Sequence, residues 1–148
     1  MPLYIDADAC PVKDEAKKVA HRYKLRVFVV SNGGIRPDPH PDVQTVVVEA
    51  GPDVADQWIA DRTGPGDICV TSDIPLADRI IKSGAAAIRP DGEVFTASSI
   101  GHQLAMRDLM TDLRAADPFR QGGGKPFSKS DRSRFLDRLD ALARKAVR

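Results

Sequence analysis

Short apolar runs alternate with helical patterns along most of the chain, and this alternation limits the possible folds more than any other feature. Residues 3–5 lack the alternating pattern of a half-solvated strand, which indicates a strand buried on both faces. Alternating strand and helix units of this length predict an α/β fold with a doubly wound, mainly parallel sheet flanked by helices. The further predicted strands are 25–30, 43–48, 67–73 and 85–88, and the predicted helices between them are 11–23, one that begins at 51–53, and 74–81.

The length of 148 residues and the hydrophobic content of 42% are sufficient for one domain with a substantial core. We predict an α/β domain over residues 1–118, which ends with a helix over 98–114 whose Met106 faces the core. Residues 119–148 are expected to form a flexible connection with a Gly run, followed by a basic amphipathic C-terminal helix. The apolar stripe of that helix is Phe135, Leu139, Leu142 and Ala146.

The net charge of +1 hides an uneven distribution of charge along the chain. From Arg120 onward there are nine basic and three acidic residues, so the remainder of the chain is acidic. The charged face of such a helix is as often merely exposed to solvent as it is a binding surface. Clustered positive charge nevertheless attracts phosphate groups. A nucleic acid is therefore a candidate partner. The candidate contacts are Lys13, Arg132, Arg134 and Arg138.

The two cysteines, Cys10 and Cys69, have neither metal-ligand spacing nor the pattern of a secreted disulfide scaffold. No apolar run approaches the length of a signal segment or a membrane span. We therefore expect a cytoplasmic protein without a membrane partner. Cys10 is expected to be a small buried residue, although it lies near a helix N-terminus, where thiol pKa values fall.

Carboxylates follow two of the predicted strands. Asp6 and Asp8 come at the end of the first strand, and Asp73 ends the run at 67–73. In an open α/β sheet, ligands bind beyond the carboxyl ends of the strands, where the strand order reverses. If these two strands are neighbours, the three acids converge, and Asp53 or Asp56 of the next helix can lie beside them.

Such a cluster has a limited set of stable states. Two carboxylates ~4 Å apart repel by roughly 4 kcal/mol at an effective dielectric constant near 20, so the cluster must bind protons or a cation. Ligands that are all oxygens favour Mg²⁺ or Mn²⁺ over zinc, and such an ion can activate water against a phosphodiester. The predicted metal ligands are Asp6, Asp8, Asp53, Asp56 and Asp73.

Helix capping is the alternative explanation for some of these acids. Asp8 and Asp73 each precede a predicted helix, where free backbone N–H groups and the helix dipole stabilise a carboxylate. Capping does not explain Asp6, which still lies in the strand, or Asp56, which lies inside a helix. The set as a whole therefore favours a metal site.

Four segments resemble those of a known family: 5–13 (IDADACPVK), 53–56 (DVAD), 71–77 (TSDIPLA) and 106–110 (MRDLM). Together they resemble the YaiI/YqxD family of uncharacterised bacterial proteins over nearly the whole chain. That family is similar to the PIN-like nucleases. The resemblance implies a parallel-sheet α/β sandwich with an acidic pocket that binds Mg²⁺ or Mn²⁺ and cuts single-stranded RNA.

The resemblance also implies roles for individual acids. Asp6 corresponds to the acid of the first strand, Asp56 to the helical acid, and Asp73 to the acid that follows a Thr or Ser. The fourth acid of the PIN pattern has two candidates, Asp78 and Asp91. With Asp8 as a further acid, the predicted catalytic set is Asp6, Asp8, Asp56 and Asp73.

Three classes of function remain open. The first is a metal-dependent nuclease that acts on RNA. The second is a phosphatase of the haloacid-dehalogenase type, in which Asp6 is the nucleophile, Asp8 the acid or base, and Lys82 the available lysine. The third is a non-catalytic RNA-binding or regulatory protein.

Overall fold

Five parallel strands form the centre of the fold, with helices on both faces. The computed structural model describes residues 2–7, 10–33, 38–49, 51, 54–102, 105–106 and 128–147. The strands are β1 (Leu3–Asp6), β2 (Val27–Ser31), β3 (Val43–Val47), β4 (Ile68–Val70) and β5 (Ala86–Ile88). The helices are α1 (Lys13–Arg22), α2 (Val54–Arg62), α3 (Ile74–Lys82), α4 (97–102) and α5 (Lys129–Ala146). The predicted fold class is confirmed.

The strand order is β3-β2-β1-β4-β5, and every neighbouring pair is parallel. The chain therefore builds outward from β1 through β2 to β3, and then returns to the other side of β1 with β4. This reversal puts the topological switch point between β1 and β4. The carboxyl ends of these two strands consequently lie side by side.

Alternate residues of the central strands enter two separate cores. Leu3 and Ile5 of β1 pack on one face together with α1 and α5, while Tyr4 packs on the other face with α2 and α3. A strand covered on both faces needs apolar residues at successive positions. The continuous apolar runs in the sequence have this cause.

The C-terminal helix contributes directly to the first of these cores. Phe135 and Leu139 are fully buried, and Leu142 and Ala146 are half-buried against the same cluster. Burial of a side chain as large as Phe135 stabilises the fold by about 2–3 kcal/mol. The predicted apolar stripe is therefore confirmed, and α5 contributes to the same core as α1.

Polar contacts fix α5 against α1 at both ends of the helix pair. At one end, Arg132 Nη1 donates to Glu15 Oε1 at 2.8 Å. At the other end, Asp140 accepts hydrogen bonds from Arg22 at 2.7 Å and from Tyr23 at 3.0 Å. Burial raises the pKa of Asp140, but the hydrogen bonds from Tyr23 and the neighbouring arginines outweigh it and lower the pKa below its usual value.

Two details of the sequence prediction are wrong. We expected Pro11 to be the first helical residue, but it lies in a turn, and α1 begins at Lys13 after Val12, which provides no side-chain cap. Met106 was expected in the core, but its side chain is 44% exposed. Helical spacing identifies a stripe of residues without determining which side of the helix packs. The rest of the predicted helix at 98–114 lies outside the described residues, except for helical residues 98–102, 105 and 106.

None of the described helices combines the length and the apolar character that a membrane span requires.

Gly92 provides a test of the docking of α5. Its φ of +93° is unfavourable for a residue with a side chain, and an added Cβ would lie 2.7 Å from the backbone carbon of Arg134 and 2.8 Å from the backbone nitrogen of Phe135. The exchange Gly92→Ala should therefore force α5 outward and lower the free energy of unfolding by on the order of 2–4 kcal/mol. Urea denaturation measures this change.

Gly101→Ala is the matched control. No atom of the described residues lies within 4 Å of the Cβ that this exchange would add, and residue 101 is helical. Alanine should therefore stabilise the protein by up to about 1 kcal/mol. Equal stability of the two variants would contradict the close packing of α5 on the turn that contains Gly92.

Candidate functional site

The site is built at the switch point between β1 and β4. Asp6 is the last residue of β1, and Thr71 directly follows the last residue of β4. The pairing of β1 with β4 confirms that these two strands are neighbours, as the convergence of their acids requires. Main-chain pairing of the two strands therefore holds Asp6 and Thr71 next to each other.

Thr71 connects the two strand ends through its hydroxyl group. Its Oγ1–H donates to Asp6 Oδ2 at 2.9 Å, and the same oxygen accepts the backbone N–H of Asp73 at 3.0 Å. The Thr71 side chain is almost fully buried, whereas Asp6 is half-buried. A buried hydroxyl thus orients one carboxylate oxygen of Asp6 and fixes the loop that leads into α3.

Asp73 caps helix α3. Its Oδ1 accepts the backbone N–H of Leu76 at 2.9 Å, which satisfies one of the donors left free in the first turn. The capping interpretation therefore holds for this residue. A carboxylate has two oxygens, so capping through Oδ1 is compatible with a second role for Oδ2.

Ser31 and Thr71 are the two fully buried polar residues within the part of the chain that the structure describes. Both lie at the carboxyl ends of central strands, and Ser31 follows Val30, the partner of Asp6 in β2. Ser31 Oγ donates to the carbonyl of Gly33 and accepts its backbone N–H, both at 3.1 Å. Neither residue was among the predicted site residues. The signal for both was a hydroxyl residue directly after an apolar run.

Asp56 lies in the first turn of α2. Its charge and that of Asp6 both act on the buried thiol of Cys69. Burial raises the pKa of the Cys69 thiol, and the carboxylates of Asp6 and Asp56 raise it further. Cys10 is also buried, and burial raises its pKa, so its thiol remains protonated. The expectation that Cys10 is a small buried residue is confirmed, and neither thiol has the character of a nucleophile.

Two of the predicted ligands, Asp8 and Asp53, lie outside the described residues. Within the described ranges, no three His, Cys, Asp or Glu side chains are grouped closely enough to hold a metal ion. The structure therefore brings together Asp6, Thr71 and Asp73 by direct hydrogen bonds, with Asp56 on the adjoining helix.

The candidates for a fourth acid have different surroundings. Asp78 lies inside α3 and accepts a hydrogen bond from Lys82 at 2.9 Å. Asp91 lies in the turn after β5, where it accepts the backbone N–H of Glu93 at 2.9 Å. Lys82 ends α3, about 12 Å along the helix from its start beside Thr71. This placement gives no support to a phosphatase in which Lys82 acts beside Asp6.

Of the four basic residues predicted to contact a nucleic acid, Lys13 lies next to the loop after β1, and Arg132 and Arg134 lie in the first turns of α5. Lys13 begins α1, and its charge lowers the pKa of Cys10, although burial raises that pKa more. Arg132 Nη1 donates to the carbonyl of Pro11 at 3.0 Å as well as to Glu15. Arg134 lies 3.6 Å from Asp131 in an ion pair, and Arg138 is exposed farther along α5.

Comparison with known proteins identifies the family. The profile of the "Uncharacterized BCR, YaiI/YqxD family" matches residues 4–145. The chain belongs to the YaiI/YqxD family. The match includes every strand of the sheet except the first residue of β1, together with the loop after β1 and nearly all of α5. This family assignment therefore covers both the candidate site and the C-terminal helix.

Close relatives of this YaiI/YqxD protein carry the name UPF0178 protein. One from Cereibacter sphaeroides is 64% identical over 144 residues, which is 97% of this chain and 89% of the relative. One from Roseobacter denitrificans is 62% identical over 145 residues, or 98% and 96% of the two chains. One from Caulobacter vibrioides is 55% identical over 146 residues, or 99% and 95%. No solved structure matches this YaiI/YqxD chain.

Thr71 is the residue whose exchange most directly tests the geometry of the site. Thr71→Val keeps the shape of the side chain but removes the donor to Asp6 and the acceptor for the Asp73 N–H. We expect a decrease of about 1–3 kcal/mol in the free energy of unfolding, because the Asp73 N–H loses its acceptor and Asp6 loses one hydrogen-bond donor. Thr71→Ser keeps the hydroxyl group and should cost only about 1 kcal/mol for the missing methyl group. Urea denaturation compares them, and a Val variant as stable as the Ser variant would refute the bridging role.

Proposed function

We propose that this protein is a metal-dependent nuclease that acts on RNA through Mg²⁺ or Mn²⁺ held at the carboxyl ends of β1 and β4. One observation carries the proposal: the carboxylate of Asp6 lies at the topological switch point and is oriented by the buried hydroxyl group of Thr71 at 2.9 Å. Ligands of open α/β sheets bind at such points. Orientation of an acid by a buried donor is typical of functional sites.

The donor set suits a hard divalent cation. The acids at this edge, Asp6, Asp56 and Asp73, offer only oxygen atoms, and Mg²⁺ commonly uses one or two carboxylates together with several waters. A small number of protein ligands is therefore sufficient, and Asp8 and Asp53 are further candidates. When bound, such an ion supplies an activated water molecule and neutralises charge on the phosphate.

The protein residues would perform the remaining tasks. The hydrogen bond from Thr71 fixes the orientation of the Asp6 carboxylate at the end of β1. Asp73 joins the same hydrogen-bond chain through its N–H while it caps α3. Lys13, Arg132 and Arg134 would attract the RNA backbone to the border of this acidic edge of the sheet, with Arg138 extending the positive surface along α5.

A metal titration tests the first part of the proposal. Addition of Mn²⁺ should raise the melting temperature of the wild-type protein, because a ligand that binds only the folded state stabilises it, by about 2.7 kcal/mol at 100 times its Kd. Asp6→Asn should keep the fold, since the Asn side-chain oxygen can still accept from Thr71, but should abolish the shift. Differential scanning calorimetry in EDTA and in Mn²⁺ measures both.

Asp137→Asn is the control for this titration. Asp137 is exposed on α5, so its exchange removes an acid of the same type outside the site. The variant should keep the full Mn²⁺ shift. A shift that Asp6→Asn retains, or no shift in the wild type, would refute the proposed metal site.

RNA binding tests the second part. The triple exchange of Lys13, Arg134 and Arg138 to Gln leaves the Arg132–Glu15 contact intact. It should weaken binding of a single-stranded RNA and reduce the slope of log K against log salt by about 0.7 for each phosphate that the variant no longer neutralises. The salt dependence of fluorescence anisotropy provides this slope.

The matched control removes three exposed lysines at the opposite edge of the sheet, Lys24, Lys82 and Lys145. This control variant should bind RNA with the wild-type slope. An equal decrease in both triple variants would indicate a diffuse attraction without a defined surface. RNA and metal binding without any cleavage would favour the non-catalytic alternative, whereas a phosphoaspartate at Asp6 would favour the phosphatase.

A further inference from the structure

The two outer strands of the sheet differ in how their free edges are covered. Beyond β5, residues 93–95 run back along the strand: the N–H of Phe95 donates to the carbonyl of Ala87 at 3.0 Å, and the N–H of Arg89 donates to the carbonyl of Glu93 at 2.8 Å. Ile88 and Val94 form an antiparallel bridge. The backbone groups on the outer side of β5 are thereby largely satisfied.

The outer edge of β3 has no such cover among the described residues, since β2 is its only strand partner there. The strand reads Val-Gln-Thr-Val-Val, without a charge, a proline or a glycine. Natural proteins usually protect an open edge with such residues, because unpaired backbone groups bind other strands. Val47 in this strand is 63% exposed, more than any other large hydrophobic side chain in the described part of the chain.

The hydrogen-bond pattern with β2 shows which groups of β3 face outward. The N–H of Val27 donates to the carbonyl of Asp42, and the N–H of Val48 donates to the carbonyl of Ser31. The even-numbered residues of this segment therefore bond to β2. It follows that the N–H and carbonyl groups of Val43, Thr45 and Val47 point toward the open edge.

We propose that the outer edge of β3 is a homodimer contact, in which two copies of this chain pair their β3 strands antiparallel about a two-fold axis at Thr45. In that register, the two Thr45 residues exchange both backbone hydrogen bonds. The N–H of each Val47 donates to the carbonyl of the Val43 of the other copy. The N–H of Val43 already donates to the carbonyl of His40 at 3.1 Å, so it needs no further partner.

The strand is complementary to itself, which favours a second copy over another extended segment. Both outward groups of Thr45 and the N–H of Val47 find partners in the same strand of the other copy, and the strand has no charged side chain that would oppose its own copy. The exposed Val47 would lie beside Val43, which is 6% exposed and belongs to the core. A contact made by one strand from each copy is small, so the dimer should be weak and dependent on concentration.

The dimer would not alter the candidate site. Antiparallel pairing directs the carboxyl edges of the two sheets to opposite ends of the assembly, so neither candidate site is covered by the other copy. Exchanges in β3 should therefore leave the Mn²⁺ shift unchanged, and Asp6→Asn should leave dimerisation unchanged. Failure of the dimer and failure of the nuclease proposal can thus be distinguished.

Sedimentation velocity over a concentration series tests the proposal. The wild-type chain should move from a mass of 16.1 kDa toward twice that value as the concentration rises. Thr45→Lys and Thr45→Glu each place like charges directly opposite across the two-fold axis and should raise the Kd of the dimer on the order of tenfold. An equal mixture of the two variants should restore the dimer, because Lys then faces Glu.

Ala141→Lys on the exposed side of α5 is the control for added charge, and it should dimerise like the wild type. Melting curves of the Thr45 variants verify that they remain folded. A wild-type chain that stays at 16.1 kDa at every concentration would overturn the proposal. So would Thr45 variants that dimerise unchanged, or a mixture of the two variants that fails to restore the dimer.

Discussion

The parallel pairing of β1 with β4 is the constraint on which the other features of the structure depend. Because of this pairing, β2 and β3 lie on one side of β1 while β4 and β5 lie on the other. The pairing also places the ends of two buried strands next to each other. Thr71 can then donate to Asp6 across the two strands, and the same hydroxyl group fixes Asp73, directly before the start of α3. Without that pairing, the core on both faces and the candidate site would both be disrupted.

Much of this arrangement could be predicted from the sequence, because it depends on local patterns. The apolar runs identified the strands, and a carboxylate at the end of the first run identified Asp6. The apolar stripe of the last helix also predicted its buried face. The contact between Thr71 and Asp6 could not be predicted with the same certainty, since it joins residues 65 positions apart. Spacing alone also placed Met106 in the core, where the structure has it exposed.

The basic C-terminal segment shows why charge counts give an incomplete account of function. Its excess of positive charge suggested a surface for phosphate, yet part of that charge is used within the protein. Arg132 is held by Glu15 and by the carbonyl of Pro11, and Arg144 contacts Asp140 at 2.9 Å. The contacts of Arg132 attach α5 to α1 and to the loop that follows Asp6. The same helix therefore has a structural role in addition to the proposed role in binding RNA.

We propose that the carboxyl ends of β1 and β4 form a divalent-metal site organised by Asp6. Anomalous diffraction from crystals grown with MnCl₂ locates such an ion without knowledge of the substrate. We predict an anomalous peak within about 2.5 Å of a carboxylate oxygen of Asp6. A map without a peak at this edge of the sheet, or with Mn²⁺ bound only elsewhere, would contradict the claim.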